Sequence, residues 1–133
     1  MYVDWLILAD SAQVVGNKLF LLGGGWRFLT AQNGYPFQQH FAVAVGMQLQ
    51  WAETNMRHPF TLEITDEDGK QLYALNGEIE AGRPVGAPPG EQLVQIAIDI
   101  TMSFERAGTY AVIARLGADE EQQTFHVIDP QPA

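Results

Sequence analysis

Along most of this chain apolar and polar residues alternate with a period of two, the spacing of half-buried strands. Val3, Trp5, Ile7 and Ala9 alternate with Asp4, Leu6 and Leu8 in a first strand. In AQVVGNKLFLL the pair Gly16-Asn17 divides two apolar segments, which predicts a two-residue hairpin. From 41 to 51 the odd positions Phe41, Val43, Val45, Met47, Leu49 and Trp51 form one apolar face. The opposite face begins small, at Ala42, Ala44 and Gly46, as in a central strand packed closely on both sides at one end. A second hairpin follows, with Phe60, Leu62 and Ile64 answered across DEDG by Tyr73, Leu75 and Ile79. VQIAIDITMSF alternates without a break, and a last hairpin sets Tyr110, Val112, Ala114 and Leu116 against Phe125 and Val127. Helical spacing fits only ADSAQVV, as a single turn capped by Asp10 or Ser11. The pattern predicts an all-β, two-sheet, mainly antiparallel sandwich of eight or nine strands, immunoglobulin-like or jelly-roll-like; a barrel would need a closed strand count. We read residues 1–129 as one domain and 130–133, with Pro130 and Pro132, as a tail.

Gly23, Gly24 and Gly25 interrupt this pattern before Trp26. A phosphate loop needs a following Lys-Ser/Thr, and a dinucleotide fingerprint needs spaced glycines opening a helix. Here Trp26-Arg27-Phe28-Leu29 follows, so the segment reads as a turn, bulge or corner where the chain passes between sheets.

Composition narrows the function. A chain of 133 residues with 47% hydrophobic and 17% charged content can bury a core without staples. There are no cysteines, which removes disulfides, thiolate nucleophiles and sulfur-ligated zinc. Seven Lys and Arg against sixteen Asp and Glu leave a net charge of −9, and the seven are scattered. Nucleic acid and anionic membranes both need clustered cations, so neither is an expected partner. The segment MYVDWLILAD is too short to span a bilayer, and Asp4 stands where a secretory signal would be basic. We expect a cytoplasmic protein.

Candidate chemistry is sparse. DEDGK lacks the alternating oxygen ligands of a calcium loop and reads as a turn. His40, His58 and His126 stand apart; His40 and His58 would need neighbouring strands and a carboxylate such as Glu53 to hold metal. Asp10-Ser11 lacks a nucleophile elbow, and Asp99 lies mid-strand opposite the apolar row. No catalytic, metal or cofactor residue is assigned. The most site-like segment is WAETNMRHPF, where Trp51, Glu53, Asn55, Arg57 and His58 combine an aromatic plane with donors and acceptors. Such a mixture suits a sugar, another small ligand or a peptide, and it also suits an ordinary polar connection.

The segment LILADSAQVVGNKLFLLGGGW, with Trp51 and ITDEDGK behind it, resembles a family of uncharacterised bacterial proteins carrying a domain of unknown function. That resemblance implies a stand-alone intracellular β-domain and brings no activity or site residues. The leading functional expectation is a non-enzymatic binding or interaction domain that forms a homo-oligomer, its wider protein or small-molecule partner unknown. A carbohydrate- or small-ligand-binding sandwich using the loop after Trp51 is the alternative, and a His-carboxylate enzyme comes last. Apolar neighbours in LILA, LFLL and YAVIARL put hydrophobic area on both faces of their strands, which motivates the oligomer.

Overall fold

The computed structural model describes residues 1–131, so the last two residues of the expected tail lie outside it. The domain is all-β, with nine strands in two mainly antiparallel sheets that do not close into a barrel. In chain order they are β1 (Tyr2–Val15), β2 (Lys18–Gly24), β3 (Phe28–Thr30), β4 (Phe37–Leu49), β5 (Arg57–Thr65), β6 (Gln71–Glu80), β7 (Gln92–Phe104), β8 (Gly108–Leu116) and β9 (Asp119–Ile128). One sheet has the order β2-β1-β4-β7, the other β3-β9-β8-β5-β6. The short β3 runs parallel to β9, and every other pairing is antiparallel.

The core lies between the inner faces that the alternation marks. Phe41, Val43, Val45, Met47 and Leu49 of β4 pack with Leu62 and Ile64 of β5, Ile100 and Phe104 of β7, and Phe125 of β9. Trp26, Phe41, Phe104, Tyr110 and Phe125 form an aromatic cluster with centroid separations of 4.9–6.1 Å. These edge-to-face and offset contacts add to the burial of the rings themselves. At the β7–β8 corner the Tyr110 hydroxyl donates to the carbonyl of Arg106 at 2.7 Å. That bond anchors a buried phenol at the point where the chain changes sheet.

Three local expectations are corrected. Residues ADSAQVV form no helical turn; they continue β1 to Val15, because the Gly16-Asn17 turn pairs them with β2. Both turn residues have positive φ, 57° and 61°, as a two-residue hairpin requires. Val3 and Trp5 do not share a face, because a bulge falls between them. The Val3 N–H donates instead to Asp119 Oδ2 at 2.7 Å, tying the start of β1 to β9. Downstream of the bulge Leu6 and Leu8 are buried, while Trp5 pairs with Gly46 and Ile7 with Ala44 on the outer face. Finally, Trp51 leaves the apolar face of β4 and starts a 3-10 turn, Trp51–Glu53.

The small outer face of β4 has a definite occupant. Ala42, Ala44 and Gly46 are buried although they point away from the core. The Trp5 indole lies directly on Gly46, in space that any side chain would need. The distal half of β1 then curls towards β7 and brings the turn to β2 with it, the Asn17 carbonyl accepting a 2.8 Å hydrogen bond from Gln95 Nε2. Gln95 pairs with Gly46, so this contact is on the outer side of the sheet.

Candidate functional site

The loop after β4 is held by its own polar groups. Glu53 Oε1 accepts the Gln50 N–H at 2.8 Å and lies 3.0 Å from the Met1 ammonium. The backbone hydrogen bond first, then the ammonium, lowers the Glu53 pKa below the ordinary carboxylate value. His58, buried in β5, donates from Nε2 to the Glu53 carbonyl at 2.7 Å, which fixes its tautomer. Asn55 turns the chain with φ 58° and donates its N–H to the Ala81 carbonyl at 2.7 Å. Arg57 points elsewhere, 4.0 Å from Glu78 with both side chains exposed, a pairing of little energetic weight.

Sequence reasoning missed the residue that completes this loop. Arg83, in the irregular stretch between β6 and β7, places its guanidinium 4.2 Å over the Trp51 ring. Its Nη2 donates to the Trp51 carbonyl at 2.8 Å and its Nε donates to Thr54 Oγ1. Thr54 is buried and donates its hydroxyl to that same carbonyl at 2.6 Å. The five expected residues thus converge only in part: Trp51, Glu53 and His58 share one clasp, Asn55 joins it through its main-chain N–H to Ala81, and Arg57 faces outward. One face of Trp51, the plane a sugar would stack on, carries Arg83. No spacing rule links residues 51 and 83; the pairing arises because Ala81 returns beside Asn55.

Beside the clasp is an open cleft of about 370 Å³ lined by Asn17, Glu80, Arg83, Gln92 and Gln95 among others. A second cleft of about 340 Å³ lies at the DEDG turn, where the acids serve the backbone. Asp66 Oδ1 accepts the N–H groups of Asp68 and Lys70 at 2.9 Å, Glu67 accepts that of Thr109, and Asp68 pairs with Arg106 at 3.0 Å. Among the described residues no three His, Cys, Asp or Glu side chains group as metal ligands.

The histidines do not meet. His40 bonds Thr101 at 2.9 Å and lies 3.8 Å from exposed Asp99, His58 is in the other sheet, and His126 bonds Thr109 and stacks on Phe28. Gly23, Gly24 and Gly25 carry the chain from β2 towards β3 in the opposite sheet, with φ of 62° at Gly23 and 86° at Gly25. The Asp10 carboxylate fills the space beside Gly23, and Gly25 donates its N–H to the Leu8 carbonyl at 2.8 Å.

Four exposed large apolar side chains, Val15, Phe20, Leu21 and Leu22, cluster on the β1–β2 hairpin. Register divides it into two rows. Ala12, Val14 and Leu19 are half-buried, which marks their side as turned towards the body of the domain. Val15, Phe20 and Leu22 are 53%, 56% and 72% exposed on the other side. The chain has no Asp or Glu from residue 11 to residue 52, so the part of the hairpin beyond Asp10 carries Lys18 as its only charge.

The chain belongs to a family of unknown function (DUF6941), whose model matches residues 4–128. No curated protein matches it. Among the described residues no helix is long and apolar enough to cross a membrane.

Proposed function

We propose, from a family that brings no activity to transfer, that this is a non-enzymatic interaction domain that associates with a second copy of itself. The observation that carries the reading is the exposed apolar row Val15, Phe20 and Leu22 on a hairpin with no carboxylate beyond Asp10. With Leu21, 39% exposed, these residues present the equivalent of about two whole apolar side chains per copy. Burying both sets gains roughly 6–13 kcal/mol at about 1.5–3 kcal/mol per side chain. Association costs about 4–15 kcal/mol in lost freedom. A micromolar complex needs a net of about −8 kcal/mol, so main-chain and other contacts must add to these side chains. A net charge of −9 opposes it at long range, so salt strengthens the association by screening. We read the architecture as immunoglobulin-like, supported by β3 lying parallel on β9 and by the Tyr110 corner.

Sedimentation equilibrium tests the reading. The unaltered protein is expected above 14.7 kDa at micromolar concentration, and Phe20→Glu and Leu22→Glu each weaken association at least tenfold. A monomer across a broad concentration range, at low and high salt, overturns it.

A second reading, a small-ligand or carbohydrate site, is favoured by the cleft beside the Trp51–Arg83 pair. It places recognition on Asn17, Arg83, Gln92 and Gln95 rather than on the covered face of Trp51. Glycans that raise the melting temperature of the unaltered protein but not of Arg83→Ala support it; no shift with either argues against it.

A further inference from the structure

We infer that the second copy docks by antiparallel pairing of β2 with the same strand of the partner about a two-fold axis at Leu21, a proposal that rests on the self-association reading above. Four edge strands are available: β2 and β7 in one sheet, β3 and β6 in the other. An exposed edge offers unpaired N–H and C=O groups, and charges or short length normally guard it. β3 has only three residues. β6 ends in Glu78 and Glu80, and β7 carries Asp99 mid-strand, so a two-fold through either brings carboxylates of two acidic copies together. β2 has no such guard. Six of its seven residues are exposed, it contains no proline, and Lys18 is its single charge.

The register follows from side chains. A two-fold at Leu21 sets Phe20 opposite Leu22 of the partner subunit, and Leu22 opposite Phe20 of the partner subunit. Both residues lie on the exposed face of the hairpin, so two apolar cross-strand pairs form at once. Lys18 falls opposite Gly24 of the partner subunit, which keeps the two cations about 20 Å apart at about 3.4 Å per residue. A two-fold at Phe20 would instead set Lys18 against Leu22 of the partner subunit. Pairing at Leu21 joins the hairpins into a four-stranded ribbon, β1-β2-β2-β1, in which both β2 edges are satisfied. The same contact is isologous and closed, so it stops at a dimer.

Because the chain has no cysteine, a single introduced thiol can form a disulfide only between copies. Directly opposed residues across an antiparallel pair have Cβ atoms about 4.5–5.5 Å apart, near disulfide reach. Under mild oxidation at micromolar concentration, Leu21→Cys is expected to cross-link at least tenfold faster than Val15→Cys. Val15 is also exposed on the hairpin but lies away from the axis. Phe20→Cys and Leu22→Cys each cross-link poorly alone and readily when mixed. Sedimentation of the reduced variants runs alongside. A dimer in which Leu21→Cys links no faster than Val15→Cys overturns the β2 pairing and leaves self-association standing. Reduced protein that is monomeric throughout overturns both.

Discussion

Gly46→Ala isolates one packing contact with a predictable sign. Gly46 lies in the middle of β4 without positive φ, so alanine is not strained there. Replacing a strand glycine by alanine normally stabilises by about 0.5–1 kcal/mol, through the entropy of the unfolded chain. Here the new Cβ would run into Cε2, Nε1 and Cζ2 of Trp5, so the indole must leave the outer face. Overpacking of this kind costs about 1–3 kcal/mol, and exposing a half-buried indole adds about 1 kcal/mol. The expected net destabilisation is about 1–3 kcal/mol, a fall in Tm of about 3–5 °C for each kcal/mol at this chain length. Urea unfolding should show a lower midpoint with an unchanged slope, and Trp emission should shift to the red. The double-mutant cycle is decisive. In a Trp5→Ala background the obstacle is gone, and Gly46→Ala should be neutral or stabilising by up to about 1 kcal/mol. An equal cost in both backgrounds would refute the steric argument.

Two further outcomes follow from the hydrogen bonds of Tyr110 and Glu53. Tyr110→Phe removes the 2.7 Å bond to the Arg106 carbonyl and should cost about 1 kcal/mol in urea unfolding without changing the slope; no measurable loss would show that the corner is held by ring packing alone. Glu53 has a folded pKa below its unfolded one, so its contribution is present above the unfolded pKa and lost as pH falls through the folded value. Glu53→Gln should therefore lower stability at neutral pH and flatten its decline on acidification, read from melting temperatures between pH 7 and pH 3. Parallel curves for the two proteins would contradict that assignment.

The alternation along β4, β5, β7 and β8 was sufficient to mark the core, because a period of two assigns each side chain to a face before any partner is known. Gly16-Asn17 likewise announced its hairpin, since both residues tolerate the positive φ of the turn. The candidate loop was legible as a group of residue types but not as an arrangement. Glu53 and His58 meet through a main-chain carbonyl, and Trp51 is covered by a cation 32 residues further on. Neither leaves a spacing signal. The bulge after Val3 was also hidden, because one inserted residue reverses every later side chain without altering composition. Above all, the small residues Ala42, Ala44 and Gly46 told of close packing on the outer side of β4 without saying what packs there. The fold supplied Trp5 and a hairpin curled back over its own sheet. Local sequence sets dihedral preference and face; which segments meet depends on sheet order and curvature, set by contacts between residues far apart in the chain.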